Sequence, residues 1–448
     1  MNARLALAGL ALLAFGAAAA MMLRRPAPGE RTGLAPPFRA GAFDTIEVEK
    51  GEARTTVRRQ AGGYWVTAPV TYAAEPAGAA AAFQAIENLD PGAVVTTRPR
   101  RYAELQVDGA TGIGVRVLMG DRRRLDLVIG KKVGDGTFVR LRAGSASAVD
   151  GDAVWQVNGD LRVLFDKRPS DWRDRSVTTF NADEAREIAI DARDREQIRL
   201  RKLAAGDGGA GGWAVVQSTR EIPELDPLVP KELLKAMASL KASEFADGTT
   251  LAAAGLDRPA LTITVTLGGG EKDIVLVGNA SGADEFFVKT SEGPQVFLVK
   301  GFDVERFARR PIQFRNKLLC HLSDADISEI AVTNGVDSYR LIKDGAAWRA
   351  TSPRGFRVDP EKVAAFSSIF RGWRAPRIAE DPPAGLGGAP LVVITGRGSK
   401  GSCTVAALAL SKGEDAYYAK APPSQEIFVL PRWMIDRVAV PLQQIRAR

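Results

Sequence analysis

The sequence predicts an α+β fold made of three tandem mixed units, each with mainly antiparallel strands and one helix, after a single N-terminal hydrophobic helix. Two observations support this prediction. A nine-residue segment recurs 142 residues further along the chain, and the same order of strand and helix patterns surrounds each copy. The chain is 448 residues long, 45% hydrophobic and 25% charged, which fits about three ordinary globular domains. These values exclude a disordered chain and a polytopic membrane protein.

The recurring segment is Phe165–Arg173, and its counterpart is Phe307–Arg315. A phenylalanine, an arginine, a proline, an aromatic residue and a final arginine stay in register between the two copies. The matched residues are Arg168, Pro169, Trp172 and Arg173 in the first copy, and Arg310, Pro311, Phe314 and Arg315 in the second. This spacing predicts units at residues 43–180, 181–322 and 323–441. The third unit lacks the Arg-Pro-aromatic tail, as expected of a degenerate terminal unit.

Each unit is predicted to open with a short alternating strand. These strands begin at isoleucines that are again 142 residues apart, namely Ile46, Ile188 and Ile330. A second strand then leads through a glycine to a tryptophan, giving the series Trp65, Trp213 and Trp348. We expect these tryptophans to be core residues where the sheet meets the helix, rather than ligand-stacking residues.

A helix follows in each unit, with a proline in its first turn, where the missing N–H is not needed. The prolines are Pro76, Pro230 and Pro360, and Asp359 is a predicted N-cap. A β-hairpin and a last strand pair complete each unit. The third hairpin contains Gly396–Gly401, which matches the G-x-G-x-x-G pattern. We predict a turn there rather than a dinucleotide site, because a strand and not a helix follows the glycines.

The segment from Arg168 to Arg173 is predicted to be a hinge that docks one unit on the next. We expect Arg173 and Arg315 to cap carbonyl groups, or to pair with a carboxylate across the junction. The segment and its counterpart from Arg310 are therefore assigned a structural role rather than a binding role.

Residues 5–23 are uncharged, and as a helix they would span roughly 30 Å, which is one bilayer. We predict a signal anchor at residues 1–25 that crosses the inner membrane through this stretch. The alternatives are a cleaved signal peptide, with Ala18 and Ala20 before the cleavage point, and a buried core helix. Residues 26–42 are rich in proline and glycine and are predicted to be a linker. The anchor and the signal peptide both place the rest of the chain outside the cytoplasm.

The composition argues against several kinds of chemistry. Two cysteines exclude a disulfide-built scaffold and a multi-cysteine metal site, and the single histidine, His321, excludes a histidine-rich metal centre. The net charge of +8 is dispersed along the chain, so no nucleic-acid partner is expected. Whether Cys320 and Cys403 form a disulfide is left open, and Cys320 is not expected to act with the adjacent His321. Two carboxylate pairs are expected at turns and caps rather than in catalysis: Asp171 with Asp174, and Asp324 with Asp326.

The Arg-Pro-x-x-aromatic-Arg junctions, the glycine-to-tryptophan strand ends and the N-terminal hydrophobic segment together resemble a bacterial family. This is the tandem "domain of unknown function 4340" family, and the resemblance covers residues 43–440. It implies a membrane-anchored extracytoplasmic protein of a kind often encoded beside ABC-type transporters associated with gliding motility. The family has no established catalytic residues, so the resemblance transfers no catalytic, metal or cofactor-binding residue.

From this resemblance we expect a non-enzymatic, single-pass accessory or scaffold protein with its body in the periplasm. A transporter permease or auxiliary subunit is the expected protein partner, and no cofactor is expected. The alternatives are an envelope glycan-binding protein and a carboxylate-based hydrolase of envelope polymers.

Overall fold

In the computed structural model, the described residues are 43–89, 91–142, 152–204, 212–323, 327–345, 347–399, 401–411 and 413–447. The predicted leader and linker, and the pair Asp324 and Asp326, lie outside these ranges. Within them, no helix has the length and apolar character needed to cross a membrane. The chain forms two compact bodies, one ending at Arg175 and the other beginning at Ser176.

The first body contains a nine-stranded antiparallel sheet, called here the first sheet, with the order β4-β3-β2-β1-β6-β7-β8-β9-β5. Its strands are β1 (Thr45–Lys50), β2 (Ala53–Gln60), β3 (Gly63–Ala68), β4 (Tyr72–Ala73), β5 (Pro91–Thr96), β6 (Ile113–Met119), β7 (Arg122–Val133), β8 (Gly136–Leu141) and β9 (Val154–Asn158). Its helices are α1 (Pro76–Glu87) and α2 (Leu161–Phe165). Pro76 takes the first position of α1, and Glu75 caps the helix by accepting hydrogen bonds from two backbone N–H groups.

The second body begins with an eight-stranded antiparallel sheet, the second sheet, with the order β12-β11-β10-β14-β15-β16-β17-β13. Its strands are β10 (Ala185–Ala192), β11 (Gln197–Lys202), β12 (Trp213–Ser218), β13 (Glu244–Phe245), β14 (Leu261–Leu267), β15 (Lys272–Ser281), β16 (Glu285–Thr290) and β17 (Phe297–Lys300). Its helices are α3 (Leu228–Ala238) and α4 (Gly301–Phe307). Pro230 is the third residue of α3, and the helix buries Leu233, Leu234 and Met237 against the sheet.

The third sheet, also antiparallel, has the order β21-β20-β19-β24-β25-β26-β27-β23. Strands β18 and β22 form a separate two-stranded sheet. The strands are β18 (Leu318–Cys320), β19 (Ile327–Thr333), β20 (Ser338–Asp344), β21 (Ala347–Ser352), β22 (Trp373–Arg374), β23 (Arg377–Ile378), β24 (Val392–Gly398), β25 (Gly401–Leu410), β26 (Ala416–Lys420) and β27 (Phe428–Pro431). The helices are α5 (Pro360–Ser367), capped by Asp359, and α6 (Arg432–Asp436).

The three large sheets share one connectivity, apart from the extra strand β4 at the edge of the first. The first strand of each sheet is central and carries the isoleucine used to predict it. Ile46, Ile188 and Ile330 are buried and lie opposite Val57, Leu200 and Leu341 on the next strand. The mostly antiparallel α+β fold is therefore confirmed.

The prediction that Trp65 is a core residue is wrong. In each sheet, the buried residue of the second strand pairs with a residue of the third strand. Tyr64, Trp213 and Trp348 each lie two residues before that partner, so Tyr64 and not Trp65 occupies the equivalent position. Trp348 is 7% exposed and Trp213 is half-buried, whereas Trp65 is 38% exposed. A shift of one residue along a strand moves a side chain to the opposite face of the sheet.

The third unit lacks the Arg-Pro-aromatic residues, yet the turn that they form in the other two units is present. Short 3₁₀ turns at Pro169–Trp172, Pro311–Phe314 and Leu442–Ile445 occupy the same place in all three cases. Each turn has a carbonyl that accepts a backbone hydrogen bond from the residue capping the helix, at 2.8–2.9 Å. Because main-chain groups define this contact, isoleucine replaces the aromatic residue without loss of the turn. The elements of the third sheet thus continue beyond residue 441, to Arg446.

We expect Tyr64→Ala to destabilise the protein by about 2 kcal/mol, because the Tyr64 ring packs on Phe83 with 5.0 Å between centroids. Trp65→Ala should cost about half as much, because this side chain is 38% exposed and lies on the opposite face of the sheet from the core. Calorimetric unfolding of the two full-length variants measures the difference. A larger loss for Trp65→Ala would contradict the register.

Candidate functional site

The junction between the second and third sheets is held by arginine side chains. The Arg310 guanidinium forms a bidentate pair with Glu196, with N–O distances of 2.9 and 3.2 Å, and also contacts Glu380 at 3.1 Å. Glu196 precedes β11 of the second sheet, whereas Glu380 follows β23 of the third. Arg310 therefore joins two sheets through one side chain, and its hydrogen bond holds the pKa of Glu196 below the usual glutamate range.

Arg315 makes both kinds of contact that were expected of it. Its Nε donates to the carbonyl of Glu221 at 2.8 Å, and its Nη1 donates to the carboxylate of Glu426 at 3.1 Å. Nearby, the fully buried Asp226 accepts a hydrogen bond from Arg374 and another from the backbone N–H of Leu228. A buried carboxylate is tolerated here because both a cation and a helix N-terminus satisfy it.

In the first body the corresponding residues pack inside that body. Arg173 is buried, with its guanidinium 4.6 Å from the centre of the Tyr72 ring. Arg168 pairs with Asp171 at 2.9 Å, and this hydrogen bond lowers the pKa of the Asp171 carboxyl. Trp172 is buried beside Phe165. In the second body Pro311 and Phe314 are likewise buried.

The two cysteines form a disulfide, which answers the question that the sequence left open. Cys320 of β18 is bonded to Cys403 of β25, with a Cα–Cα distance of 5.5 Å. Neither sulfur is therefore available to act with His321, whose side chain is exposed. A surface pocket of about 300 Å³ beside the disulfide is lined by His321, Ser402 and Ser424, among others.

The glycine pattern at residues 396–401 belongs to the hairpin of β24 and β25, as predicted. Gly396 pairs with Cys403 and Gly398 with Gly401, so these glycines lie in antiparallel strands. A helix N-terminus, which a dinucleotide fingerprint requires, does not follow them.

The outer face of the second sheet carries a groove of about 310 Å³, called here the sheet groove. Its floor is formed by small or apolar side chains on neighbouring strands: Ala189, Val216, Thr264 and Ile274. Two cross-strand ion pairs line its rim, Arg201 with Glu187 at 2.9 Å and Arg199 with Asp191 at 3.4 Å. Lys272 adds one further positive charge.

The first sheet carries larger side chains at the register of this groove. Ala189 lies opposite Thr264, and at the same register positions of the first sheet Glu47 lies opposite Arg116. Those two long side chains form an ion pair at 3.5 Å and cover the sheet face. The second sheet has the smaller pair at this register, and so does the third sheet, where Ala331 lies opposite Thr395, so the ion pairs and Lys272 around Ala189 also shape the groove. Sequence reasoning missed the groove because it depends on which residues pair across strands.

The charged side chains of the sheet groove are mostly paired. The four rim residues of the sheet groove neutralise one another in pairs. No group of three or more His, Cys, Asp or Glu side chains within the described ranges is placed to hold a metal ion. The groove is suited to contact a partner surface through its shape and its mixed charges.

A family model described as "Domain of unknown function (DUF4340)" matches residues 65–259 and, in an overlapping second match, residues 213–387. Two matches in one chain indicate that the unit of this family occurs in tandem. No curated protein matches the chain.

Glu196→Gln should lower the free energy of unfolding by about 1 kcal/mol at neutral pH, because it removes the charge that pairs with Arg310. The effect is no larger because Arg310 is half exposed and solvent screens the pair. The folded-state pKa of Glu196 is lowered, so its contribution is complete above the pKa of the unfolded chain. It is lost as the pH falls through the folded-state pKa. The difference in the free energy of unfolding between wild type and variant should therefore shrink as the pH falls. Glu187→Gln, which removes an exposed pair, is the control and should change stability by less than about 0.5 kcal/mol.

Replacing both cysteines with serine should cost about 4 kcal/mol, because the disulfide closes a loop between residues 83 apart. Unfolding of the variant by calorimetry, compared with wild type with and without reductant, measures this cost. Equal stability of the oxidised and reduced wild-type protein would contradict it.

Proposed function

Because the chain belongs to the DUF4340 family, we propose that it is a non-enzymatic, membrane-anchored accessory or scaffold protein of an ABC-type transporter complex. The observation that carries this proposal is the pairing of charges at the sheet groove and the sheet junction. A catalytic acid or base needs a proton affinity poised near the working pH. Carboxylates held ionised by arginine, such as Glu196, favour binding over proton transfer.

The disulfide supports a location outside the cytoplasm, where such bonds persist. In this proposal residues 5–23 anchor the chain in the inner membrane and the body lies in the periplasm. The matching strand orders of the three large sheets support three tandem units, of which the last includes the tail ending at Arg446.

The sheet groove is the proposed contact surface for a transporter permease or auxiliary subunit. An antiparallel sheet with one solvated face can present such a surface without disturbing its core. The arginine contacts of the junction then keep the second and third sheets in one arrangement while a partner is bound.

The test is a pull-down from native membranes in mild detergent, with cross-linking and mass spectrometry of what is recovered. We expect a transporter permease, with cross-links that map to the sheet groove. Recovery of this chain alone, with several detergents and cross-linkers, would refute the proposal and direct attention to glycan-binding and hydrolase assays.

A double substitution makes this test specific to the groove. Ala189→Glu with Thr264→Arg reproduces the Glu47–Arg116 pair of the first sheet and fills the groove without altering the net charge. We expect recovery of the permease to fall about tenfold, which corresponds to about 1.4 kcal/mol. Ala331→Glu with Thr395→Arg, at the same register of the third sheet, is the matched control and should leave recovery unchanged.

A further inference from the structure

A second groove lies in the last part of the chain, between α5 and the segment that follows α6. It has a volume of about 320 Å³ and is called here the C-terminal groove. Its apolar lining comes from Ala365, Phe366, Val440 and Ile445, and the cations Lys362 and Arg437 complete it together with Gln444. It is separate from the sheet groove and shares no residue with it.

Ile445 belongs both to this groove and to the closing 3₁₀ turn of the third unit. Ile445 stands where Trp172 and Phe314 stand in the other two 3₁₀ turns, since all three carbonyls accept the same backbone hydrogen bond. Both aromatic side chains are fully buried and fill the space beside the helix. Isoleucine is smaller than the two aromatic residues but is itself buried, so the apolar surface that the groove offers to a partner comes from the exposed Ala365 and the half-buried Val440.

The charges at the third sheet also differ from those at the second. Helices α4 and α6 follow equivalent strands, so Arg437 corresponds to Arg306. Arg306 pairs with Asp303 at 3.5 Å, whereas Met434 takes the place of Asp303 beside Arg437. Among the described residues, Arg437 has no ion pair.

Lys362 is the second unbalanced cation. Counted from the capping aspartates, it corresponds to Val229, which is buried in the second sheet's helix. The Lys362 ammonium donates to the carbonyl of Arg446 at 3.3 Å and contacts no carboxylate of the described chain. The C-terminal groove therefore combines an apolar floor with two uncompensated positive charges.

An exposed aromatic residue lies on the same helix as one of the groove's cations. Trp433 is 62% exposed and lies one helical turn before Arg437, so the two side chains share a face of the helix. Tryptophan and arginine are the residue types that contribute most to protein interfaces. An open groove of this kind fits the apolar face of a partner helix better than a small molecule, which would need enclosure.

We propose that the C-terminal groove binds an acidic amphipathic segment of a partner protein. Apolar side chains of that segment pack on Ala365 and Val440, and its carboxylates pair with Lys362 and Arg437. The chain's own linker does not fit, because residues 26–42 carry Arg31 and Arg39 against Glu30 alone. The inference rests on the proposed function only in requiring a protein partner.

The test uses the full-length protein in mild detergent and a fluorescein-labelled synthetic peptide with leucines at helical spacing and glutamates elsewhere. A peptide with lysine in place of glutamate is the charge control. We expect fluorescence anisotropy to show binding of the acidic peptide alone. Lys362→Glu with Arg437→Glu should weaken it at least about tenfold, as expected for the loss of two ion pairs in a partly desolvated groove. Equal binding of the two peptides would overturn the inference.

Matched variants at the second sheet separate this surface from general effects of charge and exposure. Phe302 is 61% exposed and corresponds to Trp433, so Trp433→Ala should weaken binding while Phe302→Ala does not. Arg306→Glu should likewise leave binding unchanged. Equal effects at the two sheets would contradict the assignment.

Two further outcomes are distinguishable. If vesicles containing phosphatidylglycerol bind in a Lys362- and Arg437-dependent way and the acidic peptide does not, the groove binds lipid and the inference fails. If the acidic peptide binds but native membranes yield no transporter subunit, the proposed function fails while the inference holds.

Discussion

The fold depends on one repeated main-chain contact. An acidic residue stands at the start of the main helix beside each large sheet, as the N-cap in the first and third sheets and one residue before it in the second, and its backbone N–H donates to the carbonyl of the closing 3₁₀ turn. The three pairs are Glu75 with Trp172, Asp226 with Phe314, and Asp359 with Ile445. The contact joins the start of the helix to the end of the unit. It therefore fixes the distance between the two ends of the chain segment that contains the intervening strands. The arginine after each turn has a different environment in each unit: Arg173 is buried, Arg315 contacts Glu426 at the junction, and Arg446 lies over the Phe356 ring.

Local patterns predicted the strands and helices well, because period, capping residues and prolines act over short distances. The isoleucine spacing located the first strand of every sheet, and Asp359 was identified as a helix cap. Trp65 was misplaced because residue type was given more weight than register. The third tail was missed because a turn defined by backbone groups does not require an aromatic residue.

The candidate surfaces could not be predicted in the same way. The sheet groove is lined by residues of several strands, Ala189 opposite Thr264 among them, and this pairing is visible only when the strand register is known. The C-terminal groove depends on three substitutions relative to the second sheet, none of which forms a motif. The disulfide was left open for the same reason, since the distance between two cysteines belongs to the fold and not to the sequence.

The bond between Cys320 and Cys403 has a mechanical consequence. Residues 83 apart are joined covalently, so a pull on the two ends of the chain passes through the sulfur atoms and bypasses the intervening strands. About 290 Å of extensible chain is thereby withheld. Strands β19, β20 and β21 and helix α5 keep their length under load even if neighbouring elements are drawn out. A protein held at a membrane at one end and by a partner at the other would resist stretching most strongly in its last sheet.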